Sequence, residues 1–167
     1  STATTVLDRD GGNKEAFFTP ISANSVYVKG TSNLNSSAYP RIFSTGVGTV
    51  ENWHVYFGQP ADGNLTNSFA VQAGGSQLVS SSNVIADGDK YIGAAYVDSG
   101  SSNVALNGTL SSAINLNLLN HPTDNRLPTA MLIGNRASGS REYDGTLNRL
   151  TFWKTRLPNT SLINITK

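Results

Sequence analysis

Short apolar or alternating runs, each closed by turn-forming residues, are the feature that most constrains this chain. Nine such runs occur, at residues 25–29, 41–44, 52–57, 68–73, 77–80, 90–97, 103–106, 130–134 and 146–154. Runs of this length, bounded by Gly, Asn, Asp, Ser or Pro, are typical of antiparallel strands. About a third of the 167 residues are Ser, Asn or Thr (20, 18 and 16), and 16 more are Gly. All four residue types disfavour helix interiors, so we predict an all-β sandwich or barrel.

The clearest hairpin lies at residues 104–110, where Asn107 and Gly108 separate two apolar arms. A two-residue type I′ turn needs positive φ at both central positions, and Asn-Gly adopts it readily. Gly74-Gly75 is a second candidate turn.

Alternation within the strands assigns side chains to faces. In 52–57, Trp53, Val55 and Phe57 share one face, while His54 and Tyr56 share the other. In 146–154, we expect Leu147, Arg149, Thr151 and Trp153 to oppose Leu150, Phe152 and Lys154. Neither strand is cleanly two-sided, which indicates one core face and one covered or ligand-binding face. Both tryptophans are assigned to the core.

The ends and one internal stretch are less regular. Residues 1–16 are predicted to form an extended N-terminal arm, and 17–167 a single sandwich domain. Residues 112–127 contain a strand-like alternation that Pro122 would end. A short C-terminal helical turn is expected to run through Ile165, capped by Asn159.

Charge and cysteine content exclude several function classes. Twelve Lys and Arg against eleven Asp and Glu give a net charge of +1 without a basic run, which argues against nucleic-acid binding. No apolar stretch is long enough to span a membrane, and no export signal is recognisable. The chain has no cysteine, which excludes disulfides and thiolate zinc sites and favours synthesis in a reducing cytoplasm.

The last third of the chain resembles a known family. Its residues are 130–136 (AMLIGNR), 143–153 (YDGTLNRLTFW) and Arg156-Leu157, preceded by 90–97 (KYIGAAYV), 104–108 (VALNG) and 39–44 (YPRIFS). They resemble laminin-G-like domains of the concanavalin A-like lectin and glucanase superfamily, above all those in tail and virion proteins of tailed bacteriophages. Pro158 departs from the family, which often has a capping Ser there, so the helix is expected to start later.

The resemblance implies a two-sheet antiparallel jelly-roll sandwich. It also implies a non-catalytic virion component (tail, fibre or capsid surface), made in the host cytoplasm, whose lectin-like module binds host surface glycans. Other virion proteins are expected partners, and a homo-oligomer, a trimer for example, is expected. A purely structural capsid or tail decoration remains open as an alternative. A glycoside hydrolase is the least favoured reading, since the superfamily's glucanases carry a Glu-x-Asp-x-(x)-Glu strand that this chain lacks.

Candidate site residues follow from glycan chemistry. A pyranose needs an aromatic face for its C–H groups and polar side chains for its hydroxyls. The residues expected to supply them are Tyr39, Tyr56, Asn135, Arg136, Arg141 and Tyr143. The chain has three Glu; Glu142 and Asp144 are the one carboxylate pair worth testing for catalysis, and a solvated loop pair explains them better. No cofactor is required; calcium is conceivable, because family members often hold it with loop carboxylates, here Asp87, Asp89 or Asp98.

Overall fold

The computed structural model describes residues 4–6, 24–33, 39–47, 50–57, 67–73, 77–97, 101–111, 130–135 and 142–167. Within these ranges the chain forms eleven strands and one helix. The strands are β1 (Thr4–Val6), β2 (Asn24–Asn33), β3 (Arg41–Val47), β4 (Val50–Phe57), β5 (Ser68–Ala73), β6 (Gln77–Val84), β7 (Lys90–Val97), β8 (Ser102–Leu106), β9 (Thr109–Leu110), β10 (Ala130–Ile133) and β11 (Asp144–Trp153), and the helix is α1 (Asn159–Ile165).

The strands form two antiparallel sheets. The six-stranded sheet has the order β1-β10-β3-β4-β5-β6, and the five-stranded sheet has the order β11-β2-β7-β8-β9. β1, within the segment predicted as an arm, is an edge strand that pairs with β10. All nine predicted runs overlap observed strands. Among the described residues no helix has the length and hydropathy to cross a membrane.

The β8–β9 hairpin confirms the turn prediction. Asn107 has φ 48° and Gly108 has φ 81°, the two positive values that a type I′ turn requires. The Asn107 side chain also accepts a 2.8 Å hydrogen bond from the Ile92 amide of β7, which fastens the hairpin to its neighbour. Gly74-Gly75 and the strand expected within 112–127 lie outside the described residues.

The core lies between the two sheets. Val26, Val28, Val104 and Leu106 of the five-stranded sheet meet aliphatic and aromatic side chains of the six-stranded sheet, including the fully buried Phe43, Val55, Phe57, Phe69 and Val71. Val55 and Phe57 point into this core as predicted, and His54 and Tyr56 lie on the opposite face of β4. The side chain of Trp53 is not among those described.

A β-bulge corrects the predicted faces of β11. Leu147 pairs with Gly30 and Arg149 pairs with Lys29, so Asn148 is one extra residue on β11. Because an extra residue reverses the alternation, Leu147 packs against the core together with Leu150 and Phe152, not on the face of Arg149 as predicted. Arg149, Thr151 and Trp153 remain together on the outer face.

Helix α1 covers part of the outer face of the five-stranded sheet. Its buried Leu162 packs on Ala94, Tyr96 and Ala105, and Ile165 lies at the edge of the same cluster. The amide of Gly108 donates to Thr166 Oγ1 at 3.2 Å, which ties the end of the helix to the hairpin.

The predicted cap of this helix is wrong. Pro158 occupies the N-cap position without a side-chain hydrogen bond, and Asn159 is the first helical residue rather than the cap. The helix therefore begins without the side-chain acceptor that a capping Ser would supply.

Candidate functional site

The structure brings together two of the predicted site residues, Tyr39 and Tyr56. Their rings make an edge-to-face contact with centroids 6.4 Å apart. The guanidinium of Arg41 lies 4.7 Å from the centre of the Tyr56 ring, and its Nη1 donates to the carbonyl of Tyr39 at 3.4 Å. The backbone of Tyr39 has φ 61°, a left-handed conformation uncommon for a non-glycine residue.

This cluster lies on the outer face of the six-stranded sheet, but most of it is inaccessible. His54 stacks edge-on against Tyr56 at 5.2 Å, and its Nε2 lies 3.3 Å from Gln72 Oε1. Tyr56 is fully buried, and Arg41 and His54 are 5% and 3% exposed. Of the two alternatives for this face, covered or ligand-binding, the covered one holds here, and Tyr56 presents no stacking surface to solvent.

Of the remaining predicted glycan residues, the structure describes Asn135 and Tyr143. Asn135 is buried, and its backbone carbonyl accepts a 3.2 Å hydrogen bond from Ser44 Oγ. Arg136 and Arg141 lie outside the described residues.

Tyr143 is a core residue, so its predicted exposure is wrong. It is 2% exposed and packs with Phe57, whose ring centroid lies 6.4 Å away. The hydroxyl of Tyr91 donates to that of Tyr143 at 3.0 Å, and Tyr143 in turn donates to the carbonyl of Thr31 at 2.8 Å. Burial raises the pKa of Tyr143 to about 12 and raises the pKa of Tyr91 well above its ordinary value. Both phenols therefore stay neutral and hydrogen-bonded inside the sandwich.

The calcium candidates occupy a tight turn. Asp87 and Asp89 are exposed between β6 and β7, on either side of Gly88, whose φ is 80°. Asp89 Oδ2 accepts a 3.0 Å hydrogen bond from the amide of Ala86, which is a turn-forming role. Asp98 lies outside the described residues, and those described contain no group of three or more potential metal ligands. Calcium binding stays a prediction.

An accessible aromatic groove lies instead on the outer face of the five-stranded sheet. Tyr27 of β2, Arg149 and Trp153 of β11, and Ile165 of α1 line a cavity of about 150 Å³. We call these four residues the Tyr27–Trp153 groove. Thr151 pairs with Tyr27 and Ser25 with Trp153, so the two aromatic residues are diagonal neighbours on one sheet face.

Local contacts fix the walls of this groove. The Arg149 guanidinium lies 5.6 Å from the centre of the Tyr27 ring, and Arg149 Nε donates to Thr151 Oγ1 at 3.2 Å. Tyr27 and Trp153 are half-buried, whereas Arg149 is exposed. The groove thus presents two half-buried aromatic rings and, next to Tyr27, the exposed guanidinium of Arg149.

Ser25 sets the path of the chain from β11 to α1. Its buried hydroxyl donates to the carbonyl of Thr155 and accepts from the amide of Leu157, each at 2.8 Å. The chain thereby turns back over the sheet, and the helix that follows brings Ile165 to the groove. Beside this turn, Arg156 stacks on Tyr96 at 4.4 Å and donates to its hydroxyl at 2.9 Å.

The sequence pattern does not reveal this groove, because it assigns Trp153 to the core. A signal was present, since the alternation places Trp153 with Arg149 and Thr151, two residues that favour solvent. Tyr27 could not be associated with them from the sequence, because it lies more than 120 residues away.

Comparison with known proteins supports the fold and no more. No protein-family model matches the sequence, and no curated protein sequence matches it. Among solved structures, the chain is similar to the Ruminococcus gnavus IT-sialidase CBM40 bound to α2,3-sialyllactose, with a TM-score of 0.73 and 14% identity over 99% of this chain and 91% of that one. It is also similar to a SAP-like pentraxin from Limulus polyphemus (TM-score 0.65, 16% identity, 88% of this chain and 72% of that one). A third similar structure is the NanB sialidase of Streptococcus pneumoniae (TM-score 0.66, 11% identity), of which the match spans 26% while covering 97% of this chain.

These similarities, with the two antiparallel sheets and the short terminal helix, confirm the predicted jelly-roll sandwich of the lectin type.

Proposed function

We propose that this chain is a non-catalytic glycan-binding module and that the Tyr27–Trp153 groove is its binding surface. The observation that carries the proposal is the pair of half-buried aromatic rings beside an exposed arginine in an open cavity. Ligand sites are typically concave and lined by aromatic side chains with a few polar groups, and this cavity combines the two.

The chemistry of the groove suits a pyranose. The faces of Tyr27 and Trp153 can pack on sugar C–H groups, and Arg149 can donate hydrogen bonds to sugar oxygens. Of the lining residues that the structure describes, two lie on β11 and one on β2, so this part of the site rests on paired strands. A site on paired strands loses little conformational entropy when a ligand binds, which favours recognition.

The similar structures add support of a limited kind. One of them is a CBM40 module bound to sialyllactose, so this sandwich can serve as a glycan-binding scaffold. A shared fold does not assign a site, however, and the argument for binding here depends on the groove itself.

The proposal excludes catalysis for a chemical reason. A glycosidase needs one carboxylic acid kept protonated by a buried setting opposite a second carboxylate. Glu142 and Asp144 are both exposed, and Asp144 Oδ2 accepts a 3.2 Å hydrogen bond from Asn33 Nδ2. This arrangement matches a solvated pair at the start of a strand.

We also propose that the module belongs to a bacteriophage particle, as a tail, fibre or capsid-surface component that docks on other virion proteins as an oligomer. Asp87, Asp89 and Asp98 are its candidate calcium ligands. The resemblance in residues 130–136 and 143–153 supports this assignment. Several copies on one particle would supply the avidity that weak single sites lack.

The test is a glycan array probed with the multivalent protein, followed by titration of each hit into wild type and variants. Trp153→Ala and Tyr27→Ala are expected to weaken binding about tenfold or more, since each removes a stacking face. Tyr39→Ala is the matched control, because it removes a tyrosine ring that packs against Tyr56 of the other sheet. Circular dichroism and thermal melting would verify that the variants are folded.

Two results would contradict the proposal. Absence of glycan binding at high valency, together with tight docking to virion proteins, would support the structural decoration instead. Equal loss of binding in Tyr39→Ala and Trp153→Ala would remove the groove from consideration.

A further inference from the structure

Two cations face each other directly at the end of the groove. Arg149 of β11 and Lys29 of β2 are cross-strand partners, and both side chains are exposed on the outer face of the five-stranded sheet. Like charges placed directly opposite each other on a sheet destabilise it. This pairing therefore has no favourable role in the fold by itself.

Among the residues that the structure describes, Asp87, Asp89 and Asp144 lie away from this pair. Among the side chains that the structure describes, neither Lys29 nor Arg149 forms an ion pair. Asp144 pairs with Asn33, four residues beyond Lys29 along β2, roughly 13 Å away. The turn that carries Asp87 and Asp89 lies at the same end, because the Gly88 amide donates to the carbonyl of Ser32.

The separation matters because dissolved salt screens the interaction between charges that are far apart. At physiological ionic strength, charges more than about 8 Å apart on a surface interact weakly. With respect to the described acidic side chains, the two cations consequently form a local positive site next to the aromatic rings, although the whole chain has a net charge of only +1.

From this geometry we infer that the glycan bound in the Tyr27–Trp153 groove carries a negative charge, which Lys29 and Arg149 bind together. The inference rests on the proposed glycan-binding function and names its ligand class. The Arg149 guanidinium can bind an oxyanion through two parallel hydrogen bonds, and the Lys29 ammonium adds a third donor group. The Tyr27 ring beneath Arg149 holds the guanidinium at the rim, so that the anion lies next to the stacked sugar.

The charge could be a carboxylate, as in a uronic or sialic acid, or a sulfate ester. A carboxylate is planar and a sulfate ester is tetrahedral, and the oxygens of either can accept hydrogen bonds from an Arg–Lys pair. The experiment therefore uses three matched probes: tetragalacturonic acid against its methyl ester, sialyllactose against lactose, and sulfated lactose against lactose.

Binding of each probe would be measured with wild type, Lys29→Gln, Arg149→Gln, Tyr27→Ala and Lys90→Gln. Lys90 is the graded control: because it pairs with Thr31, it is a diagonal neighbour of Lys29 at roughly 7–8 Å, but it lies roughly 13 Å along the strands from Tyr27. We expect at least one charged probe to bind tenfold or more tightly than its neutral partner. Lys29→Gln and Arg149→Gln should each reduce that preference at least threefold, while Lys90→Gln should reduce it clearly less, because Lys90 does not face Arg149 directly. The preference should also decrease as salt is raised.

The outcomes separate the two hypotheses. If charged and neutral partners bind equally and Tyr27→Ala abolishes both, the groove binds glycans and the charge inference is wrong. If Lys90→Gln weakens binding as much as Lys29→Gln does, the attraction is a diffuse field, which also overturns the inference. If no probe and no arrayed glycan binds, the proposed function itself is refuted.

Discussion

The hydrogen-bonded pair of tyrosines between the sheets allows a quantitative test of the fold. Tyr143→Phe removes one hydroxyl that accepts from Tyr91 and donates to the carbonyl of Thr31, at 3.0 and 2.8 Å. The substitution leaves the ring in place, so packing changes little. It leaves the buried Tyr91 hydroxyl without its acceptor, and Tyr91 is 1% exposed.

The expected cost follows from these contacts. A buried donor left unsatisfied costs about 1–3 kcal/mol, and a net hydrogen bond is worth about 1 kcal/mol. We therefore expect Tyr143→Phe to lower the free energy of unfolding by about 2–3 kcal/mol. Tyr91→Phe should cost only about 1 kcal/mol, because Tyr143 can still donate to Thr31.

The assay is urea denaturation followed by tryptophan fluorescence, with the double variant Tyr91→Phe/Tyr143→Phe completing a cycle. Since the double variant leaves no buried hydroxyl unsatisfied, it should cost no more than Tyr143→Phe alone. In a chain of this size the single variant should lower Tm by roughly 5–10 °C. Additive costs in the cycle, or a larger cost for Tyr91→Phe than for Tyr143→Phe, would refute the hydrogen-bond chain.

Three further predictions test other parts of the structure. Tyr143 should account for about 3 kcal/mol of stability that is fully present below about pH 10 and lost by about pH 12, because burial raises its pKa to about 12 while the unfolded chain ionises near 10. In pH-jump unfolding, Tyr143→Phe should reduce the pH dependence and leave the part due to Tyr91, whose pKa burial also raises; an unchanged dependence would contradict the burial of the Tyr143 phenol. Gly93→Ala should destabilise by about 1–3 kcal/mol in urea, since a Cβ there would lie 2.7 Å from the buried Phe69 ring; an unchanged midpoint would contradict that contact. Leu162→Ala should cost about 2–5 kcal/mol and loosen α1 from the sheet, seen as faster amide exchange in the helix; unaltered exchange would show that α1 is held by other contacts.

Local signals in the sequence account for the strands and for one hairpin. Asn107 and Gly108 encode their own turn, and His54 and Tyr56 were placed correctly opposite Val55 and Phe57. Such features depend on residues adjacent in the chain, where the two-residue period of a strand and the φ preferences of turn residues apply directly.

Features that depend on distant partners were not predicted. Tyr143 lies between Glu142 and Asp144 and looks exposed in sequence, but its hydroxyl meets Tyr91, 52 residues away. The turn into α1 depends in the same way on Ser25 and Thr155, which are 130 residues apart. No local pattern contains such a pairing, because it exists only once the two sheets have formed.

The predicted glycan residues also show the contrast between local signals and contacts with distant partners. Tyr39 and Tyr56 do come together, but burial of Tyr56 could not be read from its alternation alone. The groove combines residues of β2, β11 and α1, so the sequence shows each residue but not that they lie together.

The extra residue in β11 has a consequence for how chain length can vary. The strand is two alternating segments joined out of phase at Asn148: before it Leu147 faces the core, and after it Arg149 faces solvent. Deleting Asn148 would restore a regular strand and keep every other side chain on its present face. Deleting one residue between Leu150 and Phe152 would instead send Trp153 inward and dismantle the groove. Homologous chains one residue shorter at position 148 should thus keep both core and groove, whereas a gap two or three residues later marks a chain that has lost the groove.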